Sequence, residues 1–291
     1  MFELKDYQQR AKDAFRFYFK ECLRIGNADT AFYEVTKTTM GQGVSYRPVK
    51  ELPGLPYVCL RVPTGGGKTL IACHAVNVTV RDFLQSDQAM VLWLVPSNAI
   101  REQTIDALKD RKHAYRLELE SSGQCLHVLD IQEALTVQPG TLSTGTTVVV
   151  STIHAFRVED TEGRKVYEDS GHLMGHFSNL TGVPPEVVSN LDRFENGAYV
   201  RSLANVLRMR RPIVIVDEAH NARTELSFEM LARFNPACIL EFTATPDREH
   251  NPSNVLHTVS AYELKAAAMI KLPIHLESRP NWKELLADAL A

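Results

Sequence analysis

A short apolar run followed by three consecutive glycines constrains this chain more than any other feature of its sequence. Tyr57–Val62 is brief and mostly apolar, as a buried strand is. Gly65–Gly67 follows, and Lys68 then opens a segment with helical character to about residue 82. Glycines have no Cβ, so backbone N–H groups can close around an oxyanion, and the start of a helix adds positive potential there. The pattern predicts a strand, a phosphate-binding loop and a helix, in that order.

The residues after the glycines are suited to a nucleotide. In loops of this kind a lysine reaches the terminal phosphates and the next hydroxyl binds Mg²⁺. The strict pattern begins with a glycine where this chain has Val62. A glycine-rich turn in an unrelated α/β domain is therefore the alternative interpretation. The candidate phosphate-loop residues are Thr64, Gly65, Gly66, Gly67, Lys68 and Thr69.

A second apolar run, Pro212–Val216, ends in two adjacent carboxylates. Asp217 and Glu218 then lie at the carboxyl end of a strand, where open α/β sheets bind their ligands. Successive side chains leave a strand in different directions. We therefore expect Asp217 to face a metal ion and Glu218 to face a water molecule that attacks the γ-phosphate. An exposed acidic turn is the alternative, and the glycine-rich loop makes it less favourable.

These segments resemble the motifs of the superfamily 2 helicases and translocases of DEAH type. Asp217–His220 has the residues of that family's second motif, and Thr64–Thr69 resembles its first, with Gly66 where many members have serine. Thr243–Thr245 resembles the third motif, which couples nucleotide to the nucleic-acid track. The chain looks most like the motor subunit of type III restriction enzymes and related phage-defence helicases, because of residues 217–221, an early adenine motif and the 270–273 tail.

The resemblance assigns roles to further residues. Leu4–Gln8 resembles the segment that reads the adenine edge, with Gln8 as the reader. Val95–Ser97, followed by Gln103, resembles the motif that grips nucleic-acid phosphates, and Val149–His154 resembles its downstream partner. The implied catalytic residues are Lys68, Asp217, Glu218 and His220; the coupling residues are Thr243 and Thr245; the metal ligands are Thr69 and Asp217; the nucleic-acid ligands are Pro96, Ser97, Gln103 and Thr152.

The resemblance also implies a fold and an activity. The expected fold is a RecA-like α/β three-layer sandwich with a mostly parallel sheet, the first lobe of a motor that uses ATP and Mg²⁺. The expected activity is ATP-dependent DNA translocation or unwinding in a restriction or phage-defence system, with sequence-tolerant contacts to duplex DNA and a modification or specificity subunit as a further partner.

Other functions remain open at this stage. They are an RNA helicase lobe, a nucleotide-dependent interaction module that does not hydrolyse ATP, and, more remotely, a small-molecule kinase. A motor is favoured over the interaction module because only hydrolysis requires Glu218. Gln8 and Thr243–Thr245 disfavour the kinase.

Composition excludes little. The 291 residues carry a net charge of −3, which does not indicate nucleic-acid binding but leaves room for a locally basic groove. None of the five cysteines is in a Cys-x-x-Cys pair, so we expect buried thiols in a reducing compartment. No apolar run approaches the roughly 18 residues of a membrane helix, and there is no signal-peptide pattern. The expectation is a cytoplasmic protein without a membrane partner.

Three regions are expected along the chain: residues 1–55 with the N-terminal helix and adenine motif, a lobe over 56–260 with an insertion at 156–211, and an exit segment over 261–291. Family members have a second lobe whose arginines complete the ATP site, so we expect this chain to be a fragment with almost no hydrolysis by itself. The predicted elements are helices over 4–25, 68–82 and 97–110, strands over 57–62, 89–95, 125–129, 146–151, 212–216 and 237–242, and a loop or small hairpin over 26–55.

The insertion has two interpretations. Its second half, Pro185–Arg211, looks helical and ends in the basic cluster Arg208–Arg211. The cluster, with His172 or His176, could contact DNA; the alternative is a solvated surface decoration. A metal site at the two histidines is rejected because neighbouring glycines disfavour a helix there.

Overall fold

A seven-stranded parallel sheet forms the centre of the molecule. The computed structural model describes residues 3–156, 165–218, 225–247 and 252–269. Within them the strand order is β3-β4-β2-β5-β6-β1-β7, and every neighbouring pair is parallel. The strands are β1 (Tyr57–Arg61), β2 (Ala89–Val95), β3 (Cys125–Asp130), β4 (Gly145–Thr152), β5 (Ile213–Asp217), β6 (Cys238–Thr243) and β7 (Val255–Thr258).

Helices cover both faces of this sheet. They are α1 (Asp6–Ile25), α2 (Ala28–Met40), α3 (Lys68–Val78), α4 (Asn98–Lys109), α5 (Ala114–Leu119), α6 (Ile131–Ala134), α7 (Pro139–Leu142), α8 (Pro185–Ser189), α9 (Leu203–Arg210), α10 (Glu225–Ala232) and α11 (Ala261–Ala266). A π-helical turn, Thr79–Leu84, continues α3. Within the described residues, no helix combines the length and apolar character that a bilayer-spanning segment requires.

Two aromatic contacts show the three layers. The ring of Phe15 in α1 lies 5.8 Å from that of Phe242 in β6, and the ring of Phe228 in α10 lies 5.3 Å from that of Tyr57 in β1. Tyr57 is in register with Ile239, an odd number of residues from Phe242, so the two strand side chains point to opposite faces. The predicted RecA-like α/β sandwich is confirmed, and each predicted strand is present to within a residue or two.

The region over 26–55 was predicted wrongly as a loop or small hairpin, because it contains α2. Ala28, Ala31, Phe32 and Val35 are buried at the spacing of a helix face. The Asn27 side chain accepts a hydrogen bond from the backbone N–H of Thr30 at 2.9 Å and caps the helix. The threonines of this segment lower helix propensity, but the Thr36 hydroxyl donates to the Phe32 carbonyl at 2.9 Å instead of competing with the helix.

Three smaller expectations also differ from the structure. Residues 190–202 are not helical, so the predicted helix over 185–211 is reduced to α8 and α9. The short strand β7 and the helix α5 were not predicted. Cys125 is exposed, whereas the other four cysteines are buried as expected.

One arginine of the basic cluster at the end of the insertion has a structural role, because its side chain joins separate segments of the chain. Arg208 is only 11% exposed, and its guanidinium donates to the backbone carbonyls of Arg233, at 2.7 Å, and of Asn190. It also lies 3.3 Å from the carboxylate of Asp192. Burial lowers the pKa of Arg210. Arg208 therefore fastens the insertion to the end of α10.

We predict that Arg208→Ala destabilises the fold by about 1–2 kcal/mol, since it removes a largely buried side chain and its charged hydrogen bonds to two carbonyls. Arg211→Ala is the matched control, because Arg211 is the exposed neighbour in the same cluster; its effect should stay within about 0.5 kcal/mol. Urea denaturation of the three proteins measures both. Equal stability of the Arg208 variant and the wild type would show that the Arg208 side chain does not hold the insertion.

Candidate nucleotide and nucleic-acid site

Two backbone hydrogen bonds tie the three sequence motifs together at the carboxyl edge of the sheet. The N–H of Val62, at the end of β1, donates to the carbonyl of Thr243 at 2.9 Å. The N–H of Glu218, at the end of β5, donates to the carbonyl of Phe242 at 2.9 Å. Since β6 lies between β1 and β5, its last two residues hold the glycine-rich loop on one side and the acidic pair on the other.

The glycine-rich loop has the backbone of an anion cradle. Gly65 and Gly67 have φ values of +82° and +73°, in the left-handed region that favours glycine. Gly67 is the N-cap of α3, so the positive end of that helix points into the loop. The Tyr7 hydroxyl donates to the Gly66 carbonyl at 2.9 Å and anchors the loop to α1. Tyr7 has no assigned role in the sequence motif, and its burial raises the pKa of the phenol.

The chain differs from the usual loop motif at Val62 and at Gly66, and the two positions lie against each other. A Cβ on Gly66 would lie 2.5 Å from Cγ1 of Val62 and 3.0 Å from the Pro63 carbonyl oxygen. Val62 is fully buried and cannot move aside easily. Val62, at the first motif position, therefore occupies the space that a side chain at Gly66 would need.

Lys68 and Glu218 form an ion pair in the middle of the site. Their Nζ and Oε1 atoms are 2.7 Å apart, and the Lys68 side chain is only 9% exposed. Glu218 has a φ of +57°, a left-handed conformation that costs a non-glycine residue of the order of 1–2 kcal/mol. The strained backbone turns the carboxylate toward the lysine. Glu218 thus contacts the Lys68 ammonium directly.

The metal-ligand candidates have suitable chemistry. Asp217 is half-buried, and burial raises the pKa of its carboxyl to about 6, with the Lys68 charge opposing that rise. Thr69 follows Lys68 in the first turn of α3. A carboxylate and a hydroxyl beside a phosphate cradle are the oxygen donors that Mg²⁺ prefers, so the residues present fit a magnesium ion.

The adenine motif lies against the loop. Gln8 is 4% exposed, and its Nε2 atom would lie 2.7 Å from a Cβ placed on Gly67. Its Oε1 accepts from the Lys5 backbone N–H at 3.0 Å. Beside it a cavity of about 380 Å³ opens between the start of α1 and α11; its lining includes Leu4, Lys5, Tyr7, Arg10, Glu263, Ala266 and Ala267.

Arg10 and Glu263 form the outer wall of this cavity, with 2.5 Å between their charged groups. Hydrogen bonds to the Glu263 carboxylate, from the backbone of Ser260 and from Arg10, lower the pKa of Glu263 to about 2.

The predicted nucleic-acid residues lie at the ends of two neighbouring strands. Val95 is in register with Thr152, so Pro96 and Ser97 leave β2 beside the end of β4. Ser97 is exposed and caps α4 by accepting from the Ile100 N–H at 3.4 Å.

The predicted nucleic-acid ligands differ in how accessible they are to solvent. Gln103 in α4 is exposed like Ser97, whereas Thr152 is 7% exposed and its hydroxyl has little access to a ligand. The surface that the structure offers to a ligand is therefore mainly the start of α4.

The coupling segment begins inside the core. Thr243 is fully buried, and its hydroxyl accepts from the Thr245 backbone N–H at 3.2 Å. The Arg61 guanidinium donates to the Ala244 carbonyl at 3.4 Å, so β1 supports the turn directly. Thr245 itself is exposed. His220 lies outside the residues that the structure describes.

Comparison with known proteins gives one family and several similar structures. The family described as "Type III restriction enzyme, res subunit" matches residues 1–248. No curated protein matches the chain significantly. A nuclease-deletion mutant of the Type ISP restriction-modification enzyme LlaGI, solved with a DNA substrate mimic, is 15% identical with a TM-score of 0.45 over 92% of this chain.

Two helicases are similar over a smaller part of the chain. The Hef helicase domain of Pyrococcus furiosus is 17% identical with a TM-score of 0.34 over 77% of this chain. The UvsW helicase of bacteriophage T4 is 12% identical with a TM-score of 0.35 over 75%. The chain spans 21% of the LlaGI structure, 35% of Hef and 61% of UvsW.

The contact between Val62 and Gly66 makes a testable prediction. Gly66→Ala should destabilise the wild-type protein, because the new methyl group meets a buried valine. In a Val62→Ala background the same change should cost less, with a coupling energy of about 0.5–3 kcal/mol. Denaturation of the four proteins of this cycle measures the coupling. Additive effects, within about 0.3 kcal/mol, would mean that the two positions do not compensate.

Proposed function

The chain belongs to the family of type III restriction enzyme res subunits and is a helicase-type motor domain, and we propose that it is the ATP-binding first lobe of a DNA translocase in a restriction or phage-defence system. The observation that carries this proposal is the ion pair between the buried Lys68 and the partly exposed Glu218, next to Asp217 at the mouth of an anion cradle. A phosphate loop, a metal carboxylate and a candidate general base thereby share one edge of the sheet.

Each residue has a distinct task in the proposed site. The loop N–H groups and Lys68 bind the terminal phosphates, and Thr69 and Asp217 hold Mg²⁺. When bound, the ion neutralises charge on the phosphates. Glu218 orients the attacking water and accepts its proton. Asp217 has to be ionised to bind the metal, and the Lys68 charge favours that ionised form despite the burial.

Because Lys68 is already paired with Glu218, nucleotide binding would require a phosphate to replace the Glu218 carboxylate at the lysine. A lysine that is 9% exposed requires an anionic partner, and Glu218 supplies it at 2.7 Å. A terminal phosphate carries more charge than a carboxylate and would compete for the same ammonium. Once Lys68 turns to phosphate, the Glu218 carboxylate is released and can take up the water. Binding of the nucleotide would in this way prepare the base.

The rest of the nucleotide has a place beside this centre. The cavity between α1 and α11 combines apolar residues (Leu4, Ala266 and Ala267) with charged side chains such as Lys5, Arg10 and Glu263, so it offers a base both an apolar surface and polar partners. We assign adenine to it, with Gln8 as the residue that links base recognition to the loop. The Gln8 amide lies against Gly67, so a base that moves the amide would also move the phosphate cradle.

The proposed track runs across the start of α4. Exposed N–H groups at a helix start bind phosphate oxygens, which carry no sequence information. Ser97 and Gln103 would make such contacts, and Pro96 and Thr152 would shape the backbone beneath them. Thr243 and Thr245 would pass changes at the nucleotide to this surface through β6.

The remaining assignments complete the proposal. The chain divides into an N-terminal segment over 1–55, the lobe over 56–260 and an exit segment over 261–291. It acts in the cytoplasm. Its further partner is a modification or specificity subunit. An RNA track and a module that binds ATP without hydrolysis are the alternatives. A carboxylate at this position favours a hydrolase, because pairing with Lys68 would serve a binding module equally well, whereas hydrolysis also requires a base for the attacking water.

The nucleotide site is tested by two substitutions. Lys68→Ala should weaken ATP binding about tenfold or more, since a charge-assisted contact contributes about 1.5–3 kcal/mol. Glu218→Gln should bind ATP as tightly as the wild type or more tightly, because it removes the competitor for Lys68; in the full-length protein the same change should lower nucleic-acid-stimulated hydrolysis about 10²-fold. Calorimetry and phosphate release measure the two effects.

The control for the nucleotide test is Lys109→Ala, which breaks an exposed lysine–carboxylate contact of 2.9 Å to Glu133 in α6, outside the proposed site. It should leave ATP affinity unchanged. Unchanged affinity in the Lys68 variant would refute the phosphate assignment, and wild-type hydrolysis by the Gln variant would refute the role of Glu218.

The nucleic-acid surface is tested by adding a charge without removing a helix cap. Ser97→Asp keeps an N-cap of equal quality but places a negative charge where a phosphate is expected. It should weaken DNA binding about threefold to tenfold at low salt, and binding should weaken further as salt rises, similarly for unrelated sequences.

The matched control is Asn27→Asp, which adds the same charge to the exposed cap of α2. Asn27 lines a cavity with Pro56 and Ala237, at the amino ends of β1 and β6 and away from the proposed track. Equal losses in the two variants would indicate a general charge effect and contradict a track at α4. Tighter binding to RNA than to DNA in the same titration would favour the RNA alternative.

A further inference from the structure

Arg101 lies on the buried face of α4, close to the start of that helix. Thr104 and Leu108 on the same face are buried, and Ile105 packs against the core, so these positions have the spacing of one side of a helix. The Arg101 side chain is 20% exposed, whereas residues 97–100 before it are all exposed. A cation therefore lies on the inner side of α4, at the carboxyl edge of the sheet.

The Arg101 guanidinium has little to compensate its charge. Within the part of the chain that the structure describes, its Nε atom is buried and has no hydrogen-bond partner. Its Nη2 atom lies 3.7 Å from Oε1 of Glu102, whose side chain is 71% exposed. A long contact to an exposed carboxylate contributes little, while burying a charge is costly unless it is paired. The site therefore favours an anion.

Other arginines with similar burial do have partners. Arg116 lies 2.6 Å from the Glu120 carboxylate and donates to two backbone carbonyls. Arg208 lies 3.3 Å from the Asp192 carboxylate and also donates to two carbonyls. Arg101 has no such set among the described residues, and a buried donor without a protein acceptor indicates a bound water or ion.

The position of Arg101 favours a nucleic-acid phosphate over a phosphate of the nucleotide. The strand before α4 is β2, and β5 and β6 separate it from β1, which precedes the glycine-rich loop. Three strand spacings amount to about 14 Å. The loop also has its own cation in Lys68. By contrast, the exposed start of α4 offers backbone N–H groups beside Arg101, and these bind phosphate oxygens well.

We propose that Arg101 binds a backbone phosphate of the nucleic acid that crosses the start of α4. The inference rests on the proposed function, and it adds to that surface a positive charge that Ser97 and Gln103 do not supply. A guanidinium presents a fork of N–H donors that matches phosphate oxygens. Its buried stem holds the fork in place, and contacts to phosphate carry no sequence information.

The test compares the wild type with Arg101→Met, which keeps a long unbranched side chain on the buried face and removes the charge. Arg111→Met is the matched control, because it removes the same charge from an exposed arginine beyond the other end of α4. A fluorescein-labelled DNA duplex is titrated with each protein at several salt concentrations. ATP affinity and urea denaturation are measured in parallel.

Arg101→Met should weaken duplex binding about threefold to tenfold at low salt and lower the slope of log affinity against log salt by about one. Its stability should equal or exceed that of the wild type, because the change removes a buried charge that lacks a close partner. Its ATP affinity should be unchanged. Arg111→Met should change neither duplex affinity at low salt nor the salt slope by a comparable amount.

Wild-type duplex affinity and salt slope in Arg101→Met would overturn the inference, as would equal losses in the two variants. Lower stability with an unchanged salt slope would show that Arg101 has a packing role instead. A fall in ATP affinity without a change in duplex binding would assign the anion to the nucleotide and also overturn it. A wild type without salt-dependent binding to nucleic acid would overturn the proposed track and this inference together.

Discussion

The pairing of β6 with β5 on one side and β1 on the other is the interaction on which the rest of the site depends. The ladder continues past the strands, because the last carbonyls of β6 accept hydrogen bonds from Val62 and Glu218. Two segments more than 150 positions apart in sequence are thereby fixed to adjacent residues of a third. Parallel strands end at the same edge, so the loop, the acidic pair and the coupling turn meet there without any additional element.

The buried charge of Lys68 determines how this edge behaves. An ammonium with 9% exposure is costly to leave unpaired, and Glu218 satisfies it through a left-handed backbone conformation. The same two residues are those that a motor of this family would use for phosphate binding and for water activation. In the proposed mechanism, the ion pair would link the arrival of a phosphate to the release of the Glu218 carboxylate from Lys68.

Much of this could be predicted from the sequence, since its strongest signals are local. Short apolar runs identify buried strands such as β2 and β5, and the rule that ligands lie at the carboxyl ends of strands brings Lys68 and Asp217 together. The contact between Lys68 and Glu218 was not predictable in the same way. It depends on a positive φ at a glutamate, which has no compositional signature.

The features that were missed depend on distant contacts or on weak local patterns. Arg208 resembles a surface cation until its carbonyl partners are known. The helix α2 did have an apolar face, but its threonines and the glycines near it obscured the period. Val62 and Gly66 each differ from the usual loop motif, and in the sequence the two differences look independent. They are related only through the spatial contact between the two positions.

A crystal structure of this chain with Mg²⁺ and a non-hydrolysable ATP analogue tests the central claim most directly. The account predicts that the terminal phosphate takes the place of Glu218 at the Lys68 ammonium, that Thr69 and Asp217 are the protein ligands of the ion, and that the Glu218 carboxylate is separated from the lysine. A nucleotide bound away from Gly65–Thr69, or bound there with the 2.7 Å Lys68–Glu218 contact intact, would contradict it.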